Sequence, residues 1–98
     1  MAEIRWTEEA ANWLQDIYDY IAQDSLSAAG KVVAGIYERV QLLKSFPLLG
    51  HRYRFEPEGD VRILLYGHYR IAYLVKRGEI VEILGVFHGA MDIERYLR

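Results

Sequence analysis

The sequence predicts an α+β domain: a short N-terminal strand, an antiparallel two-helix hairpin packed on a three- to four-stranded antiparallel sheet, and a short C-terminal helix. Two observations carry the prediction. The first half holds two runs with apolar side chains at helical spacing, and the second half changes to β-branched and aromatic runs separated by short glycine turns. With 98 residues, 52% of them hydrophobic, the chain can bury one core but not two. Residues 1–98 are therefore expected to form a single domain.

The elements follow in order. "EIRW" is a short extended segment, and Thr7 before Glu8 and Glu9 reads as an N-cap with first-turn acids that suit the positive end of a helix dipole. Ala10, Trp13, Leu14, Ile17 and Ile21 then recur at helical spacing and define an amphipathic helix. Asp24, Ser25 and Ser27 offer fresh caps, after which Val32, Val33, Ile36, Val40, Leu43 and Phe46 resume the period. Gly30 and Gly35 lie inside this second helix, each costing about 1 kcal/mol relative to alanine. A close approach by the first helix is the expected reason for them. "SFPLLGHRY" ends the helix, since the residue before Pro47 is driven from helical geometry. "VRILLYG", "YRIAYLV" and "IVEILGVF" read as strands joined by tight turns, one of them "KRGE", which favours an antiparallel meander.

Composition excludes several classes. The absence of cysteine removes disulfide frameworks and thiolate metal sites, and no two histidines stand at ligand spacing, so neither a metal nor a cofactor is expected. No apolar run approaches the roughly 20 residues that span a bilayer, and the first residues are acidic where a signal peptide is basic. A cytoplasmic protein without membrane contact is the expectation. The net charge of −2 disfavours direct nucleic-acid binding, which relies on a basic surface.

In "YRIAYLV", alternation places Arg70, Ala72 and Leu74 on one face and Tyr69, Ile71, Tyr73 and Val75 on the other. One face must be covered by the helices, which leaves the opposite face for function. Arg62 and Arg70 have two readings: sheet-face charges that are solvated or paired with Asp60, Glu79 or Glu82, or forks for a partner's carboxylate. His88 likewise has two: a hydrogen-bonded residue ordering the turn after the last strand, or a catalyst. Eight tyrosines suit a surface that is both apolar and hydrogen-bonding.

"WTEEAANWLQDIYDYIA", "SFPLLGHRY", "VRILLYGHYRIAYLV" and "IVEILGVFHGAMDIERYL", in this order, resemble the RelE/ParE superfamily of toxins from type II toxin-antitoxin systems. The resemblance spans almost the whole chain. Its most specific parts are Tyr69-Arg70-Ile71 followed by Tyr73, and His88 with Asp92 shortly after. The superfamily includes ribosome-dependent endoribonucleases of the RelE and YoeB type, and ParE-like inhibitors of DNA gyrase. The terminal "HGAMDIERYL" is closer to the ParE branch.

The resemblance implies a plasmid-stabilisation or addiction toxin that arrests growth by binding a protein target, DNA gyrase, and is neutralised by a ParD-like antitoxin. Contact with DNA is then expected only through the antitoxin. Arg62, Tyr69, Arg70, Tyr73, His88, Asp92 and Tyr96 are the candidates for binding target or antitoxin. On the ribonuclease alternative, Arg70 and His88 would act with Glu56 or Glu58 as base. Against it, a position before the turn that is basic in RelE is Leu65 here, and Gly89 and Ala90 follow His88. A third reading is a non-toxic homologue that only binds its antitoxin.

Overall fold

The computed structural model describes residues 1–89 and 91–97. A short strand β1 (Glu3–Trp6) leads into helices α1 (Glu8–Ala22) and α2 (Leu26–Gln41), and a 3-10 turn (Leu42–Lys44) extends α2. Strands β2 (His51–Glu56), β3 (Gly59–Tyr66), β4 (Tyr69–Lys76) and β5 (Ile80–His88) follow, and a second 3-10 turn covers Ile93–Arg95.

The local signals act as the sequence suggests. Thr7 caps α1, its Oγ1 accepting the Ala10 N–H at 3.0 Å while its hydroxyl donates to the Ile83 carbonyl at 2.9 Å. Ser25 caps α2 by accepting from Ala28 N–H at 3.0 Å. One residue thus starts the first helix and fastens it to β5.

The sheet differs from expectation in extent and direction. It has five strands in the order β1-β5-β4-β3-β2, with β2 to β5 antiparallel and β1 parallel to β5, pairing Glu3 with Ile80 and Trp6 with Ile83. The helical hairpin carries the chain from β1 at one edge of the sheet to β2 at the other, and the meander β2 to β5 returns it beside β1. Because β1 reaches only to Ile83, the outer edge of β5 beyond it has no strand neighbour, and α1 packs along β5.

Both faces of the sheet are covered. On one, Ala10, Ile36, Val40 and Leu43 from the helical side meet Leu64, Ile71, Tyr73, Val81, Ile83 and Val86. On the other, Val61, Ile63, Ala72, Leu74 and Phe87 receive Ile93 and Leu97 from the chain's last residues. A bulge between the pairs Ala72–Gly85 and Tyr73–Ile83 adds Leu84 to β5, so that Ile83 and Val86 both face the helices. The short C-terminal helix of the sequence reading is one 3-10 turn, capped by Asp92 accepting from Glu94 N–H at 3.2 Å.

The two helix glycines separate. A Cβ on Gly35 would lie 1.8 Å from the Tyr66 hydroxyl, so the close approach comes from β3 and not from α1, while a Cβ on Gly30 would meet nothing within 4 Å. Arg39 holds Tyr66 there, its guanidinium 5.5 Å from the ring centroid and donating to the Leu65 carbonyl at 3.2 Å. Gly30→Ala should therefore stabilise the fold by about 0.5–1 kcal/mol in denaturant unfolding. Gly35→Ala must displace Tyr66 and should be less stable than Gly30→Ala by about 1–3 kcal/mol; equal gains from both would contradict this packing.

Candidate partner-binding surface

At one end of the sheet a two-residue turn joins Tyr66 to its partner Tyr69, with Gly67 at φ +56°, a conformation that favours glycine. The turn sets His68 beside His88, ring centroids 6.4 Å apart, and the Tyr69 ring meets His88 edge-on at 5.9 Å. Linear spacing gave no sign of this histidine pair. The backbone closes the same corner, with Gly89 N–H donating to His68 O at 2.6 Å and Met91 N–H to His88 O at 2.9 Å.

Arg70 points to the opposite face, as alternation requires, and its Nη2 donates to the carbonyls of Met91 at 2.7 Å and Gly89 at 3.2 Å. Arg54 of β2 holds the other end of the terminal segment, donating to Leu97 O at 3.1 Å and lying 3.6 Å from the Glu94 carboxylate. Tyr53 also donates to Glu94, which holds the Tyr53 phenol above its ordinary pKa. Two arginines therefore fasten this segment over the sheet. Sequence reasoning missed Arg54, whose role depends on residues far along the chain.

Tyr96 is half-exposed and its ring joins Trp13 and Phe87, with centroids 5.1 and 5.7 Å away. The Trp13 and Phe87 rings meet edge-on at 5.0 Å, linking α1, β5 and the terminal segment.

The four residues of the ribonuclease alternative are not brought together. Glu56 pairs with Gly59, and Gly59 with Lys76, whereas Arg70 pairs with Phe87 and Leu65. Arg70 and Lys76 are separated along β4 by about 20 Å at strand rise, so Glu56 and Glu58 lie at the far end of the sheet. Glu56 is bound there to Arg54 at 2.6 Å. The neighbour of Arg70 on β3 is Leu65, which is exposed and carries no charge.

Two further candidates turn inward. Tyr73 is fully buried, and its hydroxyl accepts from Gly50 N–H and donates to Pro47 O, both at 2.8 Å. Burial holds the Tyr73 phenol above its ordinary pKa. Arg62 Nη1 donates to Gly50 O at 2.6 Å and Leu48 O at 3.2 Å, and its Nη2 lies 3.4 Å from Asp60. Both serve the loop before β2. Asp92 is engaged as a cap.

Two apolar grooves run along α1. One groove of about 540 Å³ lies between α1 and the sheet end and is lined by Trp13, Ile17, Tyr20, Tyr69, Val86 and Met91, with Asp16 and His88 at its polar margin. A second, of about 360 Å³, lies between α1 and α2 and includes Trp6, Leu14, Tyr18, Val33 and Tyr37. Tyr20 is 75% exposed. The spacing of Trp13, Ile17 and Tyr20 carried this signal, as a helical stripe wider than one core face needs. Such a surface is suited to binding an apolar segment. Among the described residues no three His, Asp or Glu side chains gather to hold a metal ion.

Arg70→Ala would leave two carbonyls without their donor at a cost of about 1.5–3 kcal/mol. It should raise amide exchange at Ile93 and Leu97 before the helices loosen, measured by hydrogen–deuterium exchange. Unchanged protection of the terminal segment would contradict its anchoring role.

Comparison with known proteins agrees with this architecture. Residues 4–93 match the family model of the ParE toxin of the type II toxin-antitoxin system parDE. A Sinorhizobium fredii protein named "Putative toxin Y4kP" is 38% identical over 85 residues, 87% of this chain and 85% of the relative. The chromosomal ParDE toxin-antitoxin system from P. aeruginosa superposes with a TM-score of 0.74 at 30% identity, over 90% of this chain and 96% of the other. The toxin-antitoxin complex RelBE2 from Mycobacterium tuberculosis shares the fold at a TM-score of 0.67 and 24% identity, over 89% and 96%. The chain belongs to the ParE toxin family of type II toxin-antitoxin systems.

Proposed function

We propose that this chain arrests growth by binding a protein target, DNA gyrase, and that a ParD-like antitoxin neutralises it by occupying the apolar grooves along α1. The observation that carries the binding reading is Arg70. A ribonuclease on the alternative reading needs this guanidinium free to meet a phosphate, yet here it donates to Gly89 and Met91 carbonyls, with the candidate bases Glu56 and Glu58 at the far end of the sheet. The fold that the chain shares with RelBE2 is compatible with either chemistry, and the side-chain arrangement is what supports binding.

The grooves beside α1 support the antitoxin. They are apolar and flanked by tyrosines, a surface suited to a disordered tail that folds as it binds. Neutralisation is then steric, and any contact with operator DNA is made by the antitoxin's own folded half.

Inducible expression without an antitoxin, in a bacterium carrying a DNA-damage reporter, tests the reading. Growth arrest with the reporter switched on is the expected result. Arrest with a silent reporter would refute gyrase as the target, and unimpeded growth would leave an antitoxin-binding homologue as the correct reading.

A further inference from the structure

We infer that the loop 45–50 is the element with which this toxin grips its protein target: a rigid apolar knob, cationic at its base, that enters an acidic-rimmed apolar pocket on a folded protein. The inference rests on the proposed reading that the chain acts by binding a protein.

The loop turns its backbone inward and its large side chains outward. Phe46, Leu48 and Leu49 are 61%, 60% and 48% exposed, while Leu43 just before them is fully buried. Single exposed apolar residues are ordinary, but three on one loop form a patch of the kind that marks an interaction site.

The backbone of this loop is fixed from within. Pro47 occupies the second position of a turn closed by Leu49 N–H donating to Phe46 O at 3.0 Å. Beneath it, Tyr73 bonds to Pro47 O and Gly50 N–H, and Arg62 donates to Leu48 O and Gly50 O. A Cβ on Gly50 would lie 2.6 Å from Ile63 O, so the loop rests directly on β3. Phe46, Leu48 and Leu49 are consequently held in water by hydrogen bonds that ordinary loops lack. An anchor ordered before binding loses less entropy when it docks.

Shape and charge select the occupant. Side chains projecting from a turn are convex and need a concave partner, whereas a disordered tail seeks a groove like those along α1. Residues 40–55 contain Lys44, His51, Arg52 and Arg54 and no Asp or Glu, against a net charge of −2 for the whole chain. Lys44 and Arg52 are exposed beside the knob, and because Arg52 and Arg62 share the single Asp60 carboxylate at 3.4 Å the base keeps a positive balance, which favours acidic side chains at the pocket's rim.

Two variants of the full chain test this: Phe46→Ser/Leu48→Ser/Leu49→Ser, and Lys44→Glu/Arg52→Gln. Each is induced in cells beside the wild type, and each is purified for thermal unfolding and sedimentation. Both variants should fold, and the first should abolish arrest, since truncating one buried anchor typically weakens binding about 30-fold. The second should require more inducer for the same arrest. If the apolar variant unfolds, the charge variant decides alone. Arrest by a folded variant at the wild-type dose would overturn the inference while leaving the proposed function standing. A wild-type dimer that the apolar variant dissociates would overturn it in favour of self-association. A wild type that fails to arrest growth would overturn both.

Discussion

A sheet with apolar side chains on both faces must be covered twice. The helical hairpin covers one face. The second is covered by Ile93 and Leu97, whose segment forms one 3-10 turn and is held by hydrogen bonds from Arg70 at one end and Arg54 at the other. Trp13 completes the arrangement by packing on Phe87 and Tyr96. The positions of Asp92 and Tyr96 follow from this closure, and so does the engagement of Arg70.

The same constraint separates the two ways in which a chain of this fold could act. Cleavage chemistry requires cations and a base converging on one phosphate. In this chain the arginine on the relevant strand is committed to main-chain carbonyls, its β3 neighbour is Leu65, and Glu56 is held by Arg54. Apolar surface is exposed instead in the grooves beside α1 and at the knob before β2. They lie on different elements of the chain.

Much of the fold was legible because its signals are local. Thr7 and Ser25 start helices, alternation in β4 puts Arg70 opposite Tyr73, and Gly78 in "KRGE" marks a turn. The parallel pairing of β1 with β5 was not, since contacts between distant segments leave no periodicity in either. The Leu84 bulge also hides from alternation by shifting it midway along β5. Candidate residues were recognised by type but not by direction: Arg62 and Tyr73 turn inward to a loop whose importance shows only when four of its backbone groups find their partners. His68 and Arg54 went unnoticed because their neighbours are supplied by strand pairing and by the folded terminus.

The most direct test of action by binding alone is incubation of the purified chain with programmed ribosomes, with the message mapped by primer extension. Intact mRNA at any toxin concentration is the expected result. New ends within the ribosomal A site that disappear with Arg70→Ala, in a variant that still folds, would contradict it and make Arg70 a catalytic group.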